Sequence, residues 1–215
     1  LKNSEETLKP LNLSKNESMG EEIEFEPLGV IGNISAWNYP YLIGVNVFIP
    51  GLICGNTVLY KPSEYTSLTG LEIQNIFNDI GLPQNAFSVA IGERSIGQEV
   101  LNLPLDGIFF TGSYKTGLSI HNEVSKNLIP VGLELGGKDP LYVTNEIKDI
   151  SQVATSVLEG AFYNNGQSCC SVERVYVQED VASDFFDQFE NAAQKLKVGD
   201  PLKPETTQGP LTRKD

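Results

Sequence analysis

The stretch LGVIGNISAWNYPYLIGVNVFIPGLICGNTVLYKPSE, residues 28–64, holds two short apolar runs on either side of a longer one. Residues 28–34 follow Pro27 and read as a buried strand. Residues 40–53 are apolar almost all round and read as a covered helix. Gly55-Asn56 breaks that run, and residues 57–60 read as a second strand. The alternation continues downstream. Leu71, Ile73, Ile76, Phe77 and Ile80 set a helical period over residues 68–80, with Gly81 as a stop and Pro83 just beyond. Residues 87–91, 107–110 and 131–135 read as strands, and 95–101 and 113–126 as helices. Short buried strands alternating with helices make a parallel sheet covered on both faces. Ligands of such sheets bind at the carboxyl ends of the strands. The polar, Gly-rich segments 35–40, 61–64, 111–117 and 134–138 are therefore expected along one edge.

After Asp139 the rhythm restarts, with strands over 140–143 and 172–177 and helices over 150–163 and 182–197. This reads as the start of a second α/β unit. Residues 197–215, with three prolines, read as a loop. Residues 1–26 are polar, and Ile23 and Phe25 alternate with Glu22, Glu24 and Glu26, so a short exposed strand within a coil or hairpin arm is expected there. The sequence begins at Leu1 and closes in a polar stretch, and it reads as a piece of a longer protein.

Fifteen Lys and Arg against 28 Asp and Glu give a net charge of −13, which repels nucleic acid and anionic membrane surfaces. No apolar run reaches the roughly 18 residues of a membrane span, and no signal-peptide pattern is present. Three cysteines make no disulfide framework. Both features point to a reducing interior, the cytoplasm. A single His, with no Cys-x-x-Cys or His-x-x-x-His spacing, argues against a zinc site. Cys54 lies in an apolar stretch and is expected to be protected by the folded sheet.

Five segments could carry chemistry. Cys169 and Cys170 follow Asn164, Asn165, Gly166, Gln167 and Ser168, a polar loop after a helix. A reachable thiolate is a strong nucleophile, whereas structural cysteine is a small buried hydrophobe. Local sequence does not separate the two cysteines. Glu134, in Glu134-Leu135-Gly136-Gly137-Lys138, ends an apolar strand. Burial there would disfavour its charged form and suit a general base, while a solvent-facing strand end is the plain alternative. Asn38, in Trp37-Asn38-Tyr39-Pro40, offers a neutral NH2 donor to a developing oxyanion, or is a turn residue before a helix. Lys61 and Glu64 flank a turn that could hold ribose hydroxyls or sit as a charged surface turn. Phe110-Thr111-Gly112-Ser113 joins a strand to a helix whose first turn would present N–H groups to a phosphate, without a G-x-G-x-x-G fingerprint.

In order and spacing these five segments resemble the aldehyde dehydrogenase superfamily. The resemblance runs from about Lys9 to the end, including Val198-Gly199-Asp200-Pro201 and Gly209-Pro210-Leu211. It implies an α/β fold: a Rossmann-like parallel sheet with helices on both faces, followed by the first part of a second α/β catalytic domain. The implied organisation is an oligomerisation-type arm over 1–27, a dinucleotide-binding domain over 28–136 and a catalytic portion over 137–215. The family pattern Gly-Gln-x-Cys assigns the nucleophile to Cys169 and leaves Cys170 a neighbour. Asn38 and the backbone N–H of Cys169 would form the oxyanion hole, and Glu134 would be the general base. Lys61 and Glu64 match the pair that binds the adenosine ribose. A Glu there repels a 2′-phosphate, which favours NAD over NADP. Trp37 matches a residue lining the path beside the cofactor. Ser113, beside Gly112, matches the pyrophosphate contact. No metal is implied.

The implied mechanism has two halves. The Cys169 thiolate attacks an aldehyde to give a thiohemiacetal, and hydride transfer to the nicotinamide leaves a thioester. Glu134 then activates water, which releases a carboxylic acid. Acylating relatives that pass the acyl group to coenzyme A generally lack this Glu, so hydrolysis is favoured. Family members are about twice as long as this chain, so an NAD-binding piece without catalytic competence stands as a further reading. The arm implies a homo-oligomeric parent. Tyr41 and Phe162 are candidates for the substrate tunnel.

Overall fold

The computed structural model describes residues 3–15 and 19–214 and divides into two compact units, Leu1–Leu135 and Gly136–Asp215. Of the arm expected over 1–27, residues 1, 2 and 16–18 lie outside the described residues. No helix among the described residues is long and apolar enough to cross a membrane.

The first unit opens with a single turn, α1 (Ser4–Thr7), and an antiparallel pair, β1 (Leu11–Lys15) and β2 (Gly20–Ile23). Every residue of β2 is exposed, as the alternation of Glu with apolar residues anticipates. Next come β3 (Val30–Ile34), α2 (Leu42–Ile53), β4 (Thr57–Lys61), α3 (Ser67–Asp79), β5 (Phe87–Val89), α4 (Arg94–Leu101), β6 (Gly107–Gly112), α5 (Tyr114–Val124) and β7 (Val131–Leu135). The sheet runs β5-β4-β3-β6-β7, and every neighbouring pair is parallel. The chain starts in the middle, walks outward through β4 to β5, then returns to add β6 and β7 on the other side. The fold is therefore α/β with a five-stranded parallel sheet flanked by helices.

Alternation along the strands explains why both faces are covered. Ile31, Val58, Tyr60 and Phe87 bury themselves against Phe48 of α2 and Ile73 and Phe77 of α3. Ile34, Ile108 and Phe110 pack on the opposite face against Val100 of α4 and Ile120 and Val124 of α5. Phe48, 1% exposed, meets Tyr60, Phe77 and Phe87 nearly edge-on, with ring centroids 5.3, 5.7 and 5.1 Å away. Phe48→Ala should cost ~3–5 kcal/mol, because a close-packed ring is replaced by a cavity. Urea unfolding of the variant checks this, and a loss below about 1 kcal/mol would mean the site collapses without leaving a void.

Three expectations are corrected here. Helix α2 is covered on one side only: Gly44, Phe48 and Gly51 are buried, whereas Tyr41, Leu42 and Val45 are exposed. The two glycines let the helix press on the sheet. A Cβ on Gly44 would lie 3.0 Å from the Tyr60 ring, and one on Gly51 2.7 Å from Cδ1 of Ile31. Cys54 is exposed, not protected, because it caps the end of α2 beyond that buried stripe. Ser113 precedes α5 rather than beginning it: its hydroxyl accepts from the N–H of Thr116 at 3.3 Å, an N-cap that sets the helix start.

In the second unit, β8 (Asp139–Val143) pairs in parallel with β9 (Val172–Val177), joined by α6 (Ile150–Phe162) and followed by α7 (Glu179–Ala193). Val143, Ala154, Val157 and Phe185 form its core. Asp149 caps α6, its carboxylate accepting from the N–H of Gln152 at 3.0 Å. Helix α7 begins three residues before the expected residue 182, because Glu179 and Asp180 place negative charge on its first turn. The tail is a loop, closed by Gly199 N–H to Gln208 O at 3.0 Å and by Lys197 N–H to the Thr207 hydroxyl at 2.7 Å.

Candidate active site

Because β3, β4, β6 and β7 are parallel, their carboxyl ends lie along one edge of the sheet. Trp37 and Asn38 follow β3, Lys61 ends β4 with Glu64 just after it, Gly112 ends β6 with Ser113 next, and Glu134 is the penultimate residue of β7. The order of use reverses between β3 and β6, which is where sheets of this type bind ligands.

At this edge Lys61 is 4% exposed, which overturns the surface-turn alternative for that residue. Its ammonium donates to the Pro62 carbonyl at 3.1 Å. Burial pushes its pKa below the ordinary lysine value, and the nearby Glu64 carboxylate partly offsets that. The turn is held from both sides. Ser35 N–H donates to the Lys61 carbonyl at 3.0 Å, and the buried Ser63 hydroxyl accepts from Tyr65 N–H at 3.3 Å. Beneath it lies a buried polar pair, the Ser35 hydroxyl donating to Oδ1 of Asn33 at 2.7 Å. The Tyr60 hydroxyl beside Ser35 is raised in pKa by burial, which the Ser35 hydrogen bond partly counters. Trp37 and Asn38 are half-buried, and the side-chain oxygen of Asn38 is buried. Glu134 is exposed, the solvent-facing alternative for this strand end. Tyr41 and Phe162, the two tunnel candidates, are also exposed.

In the second unit the cysteine loop starts where α6 stops. Asn164 and Asn165, with φ of 51° and 57°, and Gly166, with φ of 71°, are three successive left-handed residues. Gly pays no steric cost in this region, and Asn is among the residues that tolerate it best. The Gln167 N–H and its Nε2 both donate to the Asn164 carbonyl, at 3.1 and 2.9 Å. The turn delivers Cys169 and Cys170 to the surface, which overturns the buried-hydrophobe alternative for both. They are not disulfide-bonded. The Cys170 sulfur lies 3.2 Å from the Ser168 hydroxyl.

Two features of this loop escape sequence reasoning. Asn165 Nδ2 donates to the carbonyls of Gly209 and Pro210, at 2.9 and 3.2 Å, and Gln167 Oε1 accepts from Thr212 N–H at 3.0 Å. Separately, Arg174 donates from Nε and Nη2 to the Lys138 carbonyl, at 3.0 and 2.7 Å, while Lys138 pairs with Glu173. The only advance signal for the first was the Gly-Pro pair in the tail. Nothing local marked Arg174.

With this geometry in hand, the comparisons with known proteins are decisive on family. The aldehyde dehydrogenase family model matches residues 3–215, and the chain belongs to that family. It is 38% identical over 187 residues to human 4-trimethylaminobutyraldehyde dehydrogenase, covering 86% of this chain and 38% of that protein. It is 37% identical over 190 residues to betaine aldehyde dehydrogenase of Vibrio vulnificus, covering 88% of this chain and 39% of the relative. The structure of PnpE in complex with nicotinamide adenine dinucleotide superposes with a TM-score of 0.92 and 31% identity, over 99% of this chain and 44% of that one. The chain thus spans less than half the length of these relatives.

The sheet edge suits a nicotinamide dinucleotide by the chemistry of its donors. It offers a buried ammonium with a carboxylate three residues on, and the start of an eleven-residue helix, α5, whose first N–H groups have no intrahelical acceptors.

Proposed function

We propose that this chain supplies the cofactor edge and the nucleophile of an NAD-dependent aldehyde dehydrogenase that oxidises an aldehyde to a carboxylic acid. The observation that carries the reading is the cysteine loop: an exposed Cys169 on a left-handed turn locked by Gln167. Lys61 and Glu64 would hold the adenosine ribose, Gly112 and Ser113 the pyrophosphate, and Trp37 would line the path beside the cofactor. When bound, the nicotinamide supplies the hydride acceptor. Cys169 attacks the aldehyde carbon as a thiolate. The Asn38 amide and the Cys169 backbone N–H stabilise the resulting oxyanion. Glu134 takes a proton from the water that hydrolyses the thioester. Its carboxylate is exposed, so water reaches it. The presence of Glu134 supports hydrolysis over transfer to coenzyme A. Formation of free acid without coenzyme A is the corresponding check, and acyl-coenzyme A as the sole product would reverse the assignment. Relatives named for trimethylaminobutyraldehyde and betaine aldehyde make aldehydes bearing a quaternary ammonium the first substrates to try.

Brief alkylation with iodoacetamide, mapped by peptide mass spectrometry, tests the reading. Cys169 should label fastest of the three cysteines, and NAD should change its rate. Equal labelling of Cys54, Cys169 and Cys170, indifferent to NAD, would overturn it. Calorimetric NAD binding without aldehyde turnover would leave an NAD-binding portion that lacks catalytic competence. The coverage of less than half the relatives' length keeps that reading open.

A further inference from the structure

We propose that residues 209–212 act as a strut that positions the Cys169 loop, with Asn165 and Gln167 as the positioning residues; this rests on Cys169 being the nucleophile. Three consecutive left-handed residues are costly, and such backbone persists only where its surroundings over-determine it. The bonds between Gln167 and Asn164 fix the turn internally. They do not fix its place relative to the rest of the unit. Three bonds that reach 44 and 45 residues along the chain tie it to the tail. Asn165 grips two successive carbonyls, and Gln167 takes the Thr212 N–H.

The Gln167 amide is the joint. It donates from Nε2 to the Asn164 carbonyl at 2.9 Å and accepts at Oε1 from Thr212 at 3.0 Å. Each bond polarises the other, so the pair resists tilting more than either alone. Gln167 lies two residues before Cys169, so a tilt there moves both the thiol and the backbone N–H proposed as an oxyanion donor.

The strut is anchored at its far end. The N–H groups of Thr207 and Gln208 donate to the Lys197 carbonyl at 3.0 Å, just beyond α7. Helix α7 in turn packs Phe185 into the core that contains Ala154 and Val157 of α6. The cysteine loop is therefore held between the helix that leads into it and the tail that leaves α7. The geometry makes the tail a working part of the site rather than a connector.

Three variants of the 215-residue chain separate this role from general stability. Asn165→Gly accommodates the left-handed backbone and removes the amide donor, with the thermal midpoint reporting any loosening of the turn. Thr212→Pro removes the N–H that Gln167 accepts, and Thr212→Ala keeps it. Iodoacetamide rates are measured at Cys169 and Cys170, with exposed Cys54 as the standard in the other unit and the thermal midpoint recorded. We expect Thr212→Pro to slow Cys169 relative to Cys54 by about fivefold, the worth of one ordinary hydrogen bond. Asn165→Gly, which loses two, should slow it by about fivefold or more, and Thr212→Ala should match the parent. If Cys169 stays within about twofold of its parent rate in both variants, or speeds up, the strut has no role. Equal slowing in Thr212→Ala would also overturn it, since the N–H is intact there. If Cys169 in the parent chain labels no faster than Cys170, the assignment of the nucleophile itself fails, and the strut with it.

Discussion

If Cys169 is the nucleophile proposed above, Cys169→Ser should remove the fast alkylation and lower any aldehyde oxidation by about a thousandfold or more, as loss of a covalent nucleophile does elsewhere. The argument is one of ionisation and placement. A thiol ionises near neutral pH once its surroundings favour the anion, whereas a serine hydroxyl needs an adjacent base to attack at all. The loop residues Asn164, Gln167 and Ser168 are neutral and supply no such base, and Glu134 is proposed to act on water at the later step. Cys170→Ser is the matched control. The Cys170 sulfur sits 3.2 Å from the Ser168 hydroxyl, and serine can keep a hydrogen bond there. That variant should hold both the labelling of Cys169 and turnover within about twofold, since surface changes of this kind shift little. Loss of activity in Cys170→Ser with retention in Cys169→Ser would exchange the two roles.

Much of this arrangement was legible in the chain, and the parts that were not share a physical cause. Short apolar runs over residues 28–34, 57–60, 107–110 and 131–135 marked β3, β4, β6 and β7 to within two residues, and the period over 68–80 with its terminal Gly81, whose φ is 77°, marked α3. Parallel pairing then forces the segments after β3, β4 and β6 and the end of β7 onto one edge. Burial was harder to read. Helix α2 has almost no polar residue to mark an outer side, so its pattern could not show that Leu42 and Val45 would be exposed. The usable signal was Gly44 and Gly51, which weaken an isolated helix and so mark the side that approaches the sheet. Cys54 was misread because it lies at the end of an apolar element, where the run continues but the packing stops. At Glu134 the two alternatives left open by the sequence resolve to the solvent-facing strand end. The ties from Asn165 and Gln167 to the tail span 44 and 45 residues, and no local pattern encodes a contact of that reach.

Lys61→Met should leave the fold as stable or more stable and weaken NAD binding by about 10- to 100-fold. Hydrogen bonds to a charged group are worth roughly 1.5–3 kcal/mol, and about 1.4 kcal/mol is tenfold in affinity. The two effects have opposite signs because Lys61 is in an expensive place. It is 4% exposed, and burial lowers its pKa from the usual 10.5. The folded state therefore binds the Lys61 proton less readily than the unfolded chain. The sign follows: stability is reduced while both states are protonated, and it recovers as pH rises from the lowered folded value toward 10.5. Methionine fills similar space without a charge to desolvate, so the variant should lack this alkaline gain. Glu64 offsets part of the cost, and it is also the carboxylate proposed to repel a 2′-phosphate. Glu64→Gln should accordingly raise NADP affinity relative to NAD by about tenfold, through loss of like-charge repulsion at the ribose. Calorimetric titration with each dinucleotide, beside urea unfolding at neutral and alkaline pH, measures all of these. Undiminished NAD binding by Lys61→Met would remove the lysine from the cofactor site. A large loss of stability in the same variant would make it a structural residue. A selective loss of binding is what a lysine buried for the sake of a ligand requires.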